Sequence, residues 1–304
     1  MIFFKNLMIK SLDFSKCNEE CIKTYYKYPL GFLFLGDIDL ASKLYDYVIK
    51  QTPNESARDF NTYYDCWLYL YTKLVGNKNY TKHYEKIMKN KTNFGGFSAL
   101  PNNYPEVRAS AISAICSFFE KDTVTFKEAA DYLYLMYALN KNENKFYFMS
   151  NENFNLIKDF PLDNERRYIF ETKKARPLLY SFLLSVIALI CVYLFFNDKK
   201  YLYFANKYVN KILDNDFHND YCGKSIIATS ILYYIFSKDK YLNEMTNIYN
   251  YMQSVIEDGN SYVHNNQLLT IDRLSEYAIG IEFYLNSKSK KLPSVLENYL
   301  NKWY

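Results

Sequence analysis

The sequence predicts an all-α fold built as an (α/α)6 toroid of six helical hairpins, and three observations carry this reading. An apolar helix, a short polar turn and an amphipathic helix recur six times, at a spacing of roughly 40 to 50 residues. Within each pair the first helix is the more apolar and the second the more charged. The turns inside the pairs are short, whereas the connections between pairs are long. Such a unit cannot bury its apolar face alone and must stack on its neighbours. An open solenoid, tetratricopeptide-like or HEAT-like, would expose both helices of a pair on one side. A closed ring places the apolar helices inside and the amphipathic ones outside, and six pairs close it. The asymmetry favours the ring, with the open α-solenoid as the alternative. One domain is expected over 1–304, with an insertion at about 140–172.

The first pair holds Tyr28-Pro29-Leu30-Gly31-Phe32, the turn Leu35-Gly36-Asp37-Ile38-Asp39 and a helix from Leu40 to Val48. Leu40, Leu44, Tyr47 and Val48 of that helix share one face at the 3.6-residue period. A polar break, Thr52-Pro53-Asn54-Glu55-Ser56, ends the pair. The second pair is Phe60 to Val75 and Tyr80 to Met88, around Gly76-Asn77-Lys78-Asn79. The third follows the loop Thr92-Asn93-Phe94-Gly95-Gly96-Phe97 and Pro105, and comprises Val107 to Phe119 and Phe126 to Leu139. Gly95 and Gly96 mark a built turn. From Asn140 to Thr172 the rhythm breaks, and this insertion is a candidate lid or a surface decoration. The last three pairs are Pro177 to Phe196 with Leu202 to Leu213, Gly223 to Phe236 with Leu242 to Ile256, and Ile271 to Leu285 with Pro293 to Trp303.

Composition narrows the function classes. With 49% apolar residues and 23% charged ones, the chain can bury a large core and is not a disordered sequence. The 33 tyrosines and 23 phenylalanines accompany abundant Lys, Asn and Ile, which reads as coding bias rather than as a functional signal. A net charge of +4 with interspersed signs forms no basic stripe, so no nucleic-acid partner is expected. Six cysteines without a Cys-x-x-Cys spacing read as small buried hydrophobes in a reducing, cytoplasmic compartment. Lys5 interrupts the apolar Met1 to Ile9 stretch and no small-residue cleavage site follows, so secretion is not expected. Leu178 to Phe196 is uncharged and long enough to span a bilayer. It nevertheless occupies the apolar-helix slot of its pair, so a buried helix is expected and not a membrane span.

The run from Tyr80 to Phe119, in which an amphipathic helix leads through Gly95-Gly96-Phe97 and Pro105 into a helix of small and apolar residues, resembles the repeat of the terpenoid cyclase and protein prenyltransferase family of toroids. Glu257-Asp258-Gly259-Asn260 occupies the same loop position in a later pair. The resemblance implies the toroid fold and a central cavity for a small apolar or cyclic, terpenoid-like substrate. The aspartate motif of the cyclases is missing, and Asp37-Ile38-Asp39 lies in a short turn away from the cavity mouth. Tyr221-Cys222-Gly223 is similar to the helix start that carries a zinc cysteine in lanthipeptide cyclases, without that group's Cys-His-Gly partner. Carbohydrate-active six-hairpin enzymes share the architecture and leave no motif to test.

Long connections leading into the apolar helices place the cavity mouth at the N-terminal ends of those helices, where unpaired N–H groups suit an anion or a polarised oxygen. Candidate catalytic groups there are Asp59, Asp65, His218, Asp220, His264, Asp272 and Glu276. Candidate substrate-binding groups are Tyr63, Glu106, Arg108, Arg176 and Arg273. A histidine beside a carboxylate can move protons near neutral pH, and an arginine can clamp a carboxylate or phosphate. Carboxylates at helix starts also serve as caps. No cofactor is expected. A zinc site from Cys222, His264 and one of Asp216 or Asp220 is the metal option, while Cys17 and Cys21, at i, i+4 on one helix face, lack a companion His or Cys pair. His83, on an amphipathic helix, is expected at solvent. The sequence therefore reads as an enzyme acting on a small molecule in a central cavity. The alternatives are a carbohydrate-active epimerase, lyase or hydrolase, and a non-catalytic repeat that binds a protein.

Overall fold

The computed structural model describes residues 2–12, 25–50, 61–100, 104–143, 146–159, 169–170, 179–213, 222–257 and 267–302. The described residues are predominantly helical. After helix α1 (Ile2–Lys10) the chain forms the pairs α2 (Tyr28–Phe34) with α3 (Ile38–Lys50), α4 (Asn61–Val75) with α5 (Tyr80–Met88), and α6 (Val107–Glu120) with α7 (Thr123–Leu139). Then come α8 (Leu179–Phe196) with α9 (Lys199–Leu213), α10 (Cys222–Phe236) with α11 (Asp239–Glu257), and α12 (Gln267–Lys288) with α13 (Ser294–Leu300). Each helix expected from the periodicity is present within a few residues of its expected ends.

The repeat is visible in the backbone of the turns. After each of the six apolar helices one residue adopts the left-handed conformation: Gly36, Gly76, Lys121, Asn197, Ser237 and Lys290, with φ between 53° and 76°. A left-handed residue just past a helix end lets its last carbonyls be satisfied before the chain reverses. Aspartates in the same turns then start the amphipathic helices. Asp37 accepts from the Leu40 amide (3.1 Å), Asp122 from the Thr125 amide (3.1 Å) and Asp198 from the Lys200 amide (2.9 Å).

The two helix types differ in burial as their sequences require. In α6 every residue from Val107 to Ser117 is buried, and in α10 every residue from Cys222 to Ser230. Some buried hydroxyls of the apolar helices close locally, as Ser185 of α8 does onto the Ser181 carbonyl (2.9 Å) and Thr229 of α10 onto that of Ser225 (2.8 Å), whereas those of α6 tie it to other segments: Ser110 accepts the Phe97 amide (2.8 Å) and Ser117 the Tyr84 hydroxyl (3.1 Å). The amphipathic helices bury one stripe: Tyr201, Ala205, Tyr208 and Val209 in α9, and Tyr241, Met245, Ile248 and Met252 in α11. In α3 the stripe is Ala41, Leu44, Tyr45 and Val48, so the expected face is rotated slightly and Leu40 and Tyr47 lie at its margins.

The chain divides into two compact units, Met1–Arg58 with Leu70–Tyr80 and Asp220–Tyr304, and Asp59–Tyr69 with Thr81–Asn219. In the first unit α12 packs against both α10 and α2, so the last pair lies beside the first. These apolar helices run parallel. Gly223 meets Glu276 and Ile226 meets Gly280 across α10 and α12, while Lys27 bonds Glu276 near the start of α2 and Phe34 stacks on Phe283 near its end. In the second unit α6, α8 and the 61–69 part of α4 are parallel as well. Cys66 approaches Ser113 (3.6 Å), Tyr69 bonds Glu120 (2.6 Å), and the rings of Phe118 and Phe195 meet at the helix ends.

Helix α8 is surrounded by protein along most of its length, with Phe182 to Ile190 buried, and among the described residues no helix is long and apolar enough to cross a membrane. The insertion holds two short strands, β1 (Phe146–Tyr147) and β2 (Ile169–Phe170), paired antiparallel. In its described first half, Phe146 to Ser150 pack inward while Glu152 to Asn155 are exposed. Phe146, Phe148, Met149 and Ser150 are buried, Phe148 accepts the Val107 amide (2.9 Å), and both phenylalanine rings pack on Phe182. The segment is a strut that bonds the start of α6 and rests on α8.

Candidate functional site

Among the described residues the charged groups buried deepest in the first unit are three: Lys27, just ahead of α2, Lys224 in the first turn of α10, and Glu276 in α12. Both ammonium groups bond the same oxygen, Oε1 of Glu276. Local sequence brings them there. Pro29 in the first turn of α2 fixes the chain's entry into that helix. Gly223 and Gly280 let α10 and α12 approach so closely that a Cβ on Gly223 would stand 2.6 Å from the Glu276 backbone carbon, and one on Gly280 2.3 Å from the Ile226 side chain. Burial pushes the Glu276 carboxyl up, but the charges of Lys224 and Lys27 outweigh it and hold the group below the ordinary carboxylate value. The glutamate is therefore ionised. Arg273 is buried one turn earlier on α12.

A second buried polar group occupies the second unit at the start of α6. Arg108 donates a hydrogen bond to Glu106 Oε1 through Nε (2.9 Å), with Nη2 in ion-pair contact with the same oxygen (2.7 Å), and its guanidinium lies 5.3 Å from the centre of the Tyr63 ring, which in turn meets Trp67 edge-on. Glu106 is anchored by its backbone, whose amide donates to the Phe97 carbonyl (2.9 Å). The loop before it is shaped by Gly95, at φ +91°. Asp65, two residues along α4 from Tyr63, pairs with His83 Nδ1 (3.0 Å), both side chains being buried.

Of the predicted substrate-binding residues, Tyr63, Glu106 and Arg108 thus converge on one another, and Arg273 is buried in the first unit. Of the predicted catalytic residues, Glu276 is the carboxylate of the lysine cluster and Asp65 the partner of His83. Asp272 lies in α12, its side chain outside the description. Asp59, Arg176, Asp216, His218, Asp220 and His264 lie outside the described residues. His83 corrects the expectation: it is inside, because Tyr80, His83 and Ile87 share one face of α5 and that face is buried at His83 and Ile87. The residues that sequence reasoning missed are Lys27 and Lys224. Their signal was present, a lone cation in Tyr25-Tyr26-Lys27-Tyr28 and in Cys222-Gly223-Lys224-Ser225-Ile226, segments otherwise without charge.

Among the described residues no group of three His, Cys, Asp or Glu side chains is placed to hold a metal ion. Cys222 is buried, and its proposed zinc partners lie outside the description, as do Cys17 and Cys21. Cys66 and Cys116 are buried free thiols; burial pushes Cys116 well above the ordinary thiol value, and Cys191 up to about 12. Thiols so raised carry little thiolate and are poor nucleophiles. Among the described residues the buried Lys, Arg, His, Asp and Glu side chains are the Lys27, Lys224 and Glu276 cluster, Arg273, the Arg108–Glu106 pair and the His83–Asp65 pair; the first of these suits anion binding and charge stabilisation. Compared with protein-family models, with curated proteins and with solved structures, the chain matches none. Function is accordingly argued from the site.

Proposed function

We propose that the chain is an enzyme of the closed (α/α)6 type, acting on a small molecule that presents an anionic group on an apolar or cyclic body, with the Lys27, Lys224 and Glu276 cluster as the polar end of its site. The observation that carries this reading is the burial of two lysines and a glutamate among apolar helices. Taking an ion out of water costs several kcal/mol even when paired, and an apolar trio of similar size would hold the helices at least as well. Charges kept there point to a role beyond cohesion. Closure of the ring is supported by the packing of α2 against α12, since an open array keeps its first and last pairs apart.

In this reading Glu276 holds the two ammonium groups in place, and Lys27, Lys224 and Arg273 meet the substrate's acid group. The apolar body is the part of the proposal that rests on the terpenoid cyclase resemblance. The test is thermal stabilisation by four probes: farnesyl diphosphate against farnesol, and glucuronate against glucose. Stabilisation by farnesyl diphosphate alone, reduced at least tenfold in affinity in Lys224→Met, is the expected result. Stabilisation by glucuronate instead would replace the terpenoid-like substrate with a sugar acid, and no response to any probe would remove the anion-site reading.

A further inference from the structure

In the first unit the short turns gather at one end. The Phe34 ring stacks on Phe283 (6.0 Å), which sets the end of α2 beside that of α12. Lys290 Nζ donates to the Tyr233 carbonyl and to Ser237 Oγ (2.8 Å each), which ties the turn after α12 to the end of α10. This end is both apolar and basic. Ile38, at the start of α3, is 61% exposed, and Leu285 and Tyr234, in the last turns of α12 and α10, are exposed as well. Lys238, Lys240, Lys288, Lys290 and Lys291 are all exposed there. Among the described residues the acids at this end are Asp37, which is paired with Lys5 (2.7 Å), Asp39, Asp239 and Glu297, in the first turn of α13. Lysine heads also lie near aromatic rings, Lys290 at 3.6 Å from the centre of Tyr233 and Lys288 at 4.7 Å from that of Tyr284.

The second unit, taken by itself, repeats the composition at its own short turns. Leu194, Phe195 and Phe196 are consecutive and exposed, at 58%, 44% and 37%, and Val124 is 65% exposed. The two phenylalanine rings rest on Phe118 and Phe126 and keep their remaining surface in water. Lys121, Lys199 and Lys200 are exposed alongside. Lys121 and Lys288 lie at helix C-termini, where the helix dipole favours a cation, whereas Lys199, Lys200 and Lys240 lie in first turns, where it does not. The dipole does not account for isoleucine, leucine and phenylalanine left exposed at the same ends.

We propose that the short-turn end of each unit, taken by itself, is a peripheral membrane-binding surface for anionic lipid. Aromatic and branched side chains enter the boundary between headgroups and acyl chains, while lysines keep their heads at the lipid phosphates. A nucleic acid would match the lysines but give the apolar residues nothing to bury against. The contact lies on the bilayer and requires no spanning helix. It is independent of the reading of the lysine–glutamate cluster, which sits at the opposite ends of α2 and α10.

The test is co-sedimentation of the full chain with vesicles of phosphatidylcholine alone and of phosphatidylcholine mixed with phosphatidylserine. The expected result is binding to the mixed vesicles only, reversed by salt of about 0.5 M. The variant Lys238→Gln/Lys288→Gln/Lys291→Gln loses about a hundredfold in partition, roughly fivefold per lysine. Leu194→Ser/Phe195→Ser/Phe196→Ser loses a similar factor at low salt, with unchanged circular dichroism. In Phe195→Trp the added indole emission moves to the blue on mixed vesicles. Failure of the unmodified chain to sediment with mixed vesicles at low salt overturns the proposal. So does partition that neither triple variant alters, or tight binding of an RNA oligonucleotide that the serine variant leaves intact.

Discussion

Replacing Glu276 by glutamine keeps the side-chain shape and one carbonyl oxygen for Lys27 and Lys224 but removes the charge that both ammonium groups face. Breaking a buried pair from one side costs about 3–5 kcal/mol, because the partner charge is left in a medium that solvates it poorly. For a chain of 304 residues the entropy of unfolding is about 0.6 kcal/mol per kelvin, so Glu276→Gln should melt about 5–8 °C lower. Calorimetry or circular dichroism at neutral pH reads this directly. The companion variant Lys27→Met/Lys224→Met/Glu276→Leu separates cohesion from function: it should melt at or above the unmodified chain, by as much as about 1–4 kcal/mol, yet lose stabilisation by the anionic probe. Acid adds a third readout. The Glu276 carboxyl lies below its ordinary value when folded, so its stabilising contribution is complete above the unfolded value, about 4.3, and is lost as pH falls through the depressed one. The glutamine variant should lose less stability over that window. An unchanged melting point in Glu276→Gln would refute the reasoning, since it would mean that the lysines do not depend on this carboxylate.

Gly223→Ala forces a methyl group to within 2.6 Å of the Glu276 backbone, so α10 and α12 must separate; a loss of about 1–3 kcal/mol is expected in chemical denaturation, together with weakened anion binding. His83→Ala removes the 3.0 Å bond to Asp65 and empties a buried site on α5, for an expected loss of about 2–4 kcal/mol, whereas a truly exposed histidine would cost less than about 0.5 kcal/mol. Asp122→Ala removes the cap of α7 and the acceptor of the Tyr84 hydroxyl (2.9 Å), for about 1–2 kcal/mol. Burial raises the Asp122 carboxyl, but bonds from Thr125 and Tyr84 hold it below the ordinary value, so the difference between this variant and the unmodified chain should shrink as the pH is lowered through that depressed value.

Much of the local structure was legible in the order of residues. The end of α5 at Met88 and the start of α6 at Val107 fell where the periodicity put them, because helix formation answers to a repeat of apolar side chains a few residues long. The buried charges were less legible. Glu276 was among the expected residues, but Lys27 and Lys224 are 197 positions apart in the chain, and nothing local announces that both reach one oxygen. His83 was misplaced for a related reason: a polar residue on an amphipathic helix reads as solvent-facing until the direction of the buried stripe is known. The first half of the insertion looked irregular because its phenylalanines are buried by bonding to α6 and packing on α8, not by a helical face of their own.

The sequence by itself determined that the chain is a set of paired helices, which member of each pair is buried all round, and where each pair turns. These are consequences of short-range periodicity and of the left-handed residue that ends each apolar helix. The tertiary structure decided that the last pair lies against the first, that two glycines bring α10 and α12 close enough for two lysines to share a carboxylate, and that leucine and phenylalanine stand exposed at the short-turn end of α8. Each of those depends on which distant segment fills the space around a side chain, and burial is a property of that neighbourhood rather than of the residue.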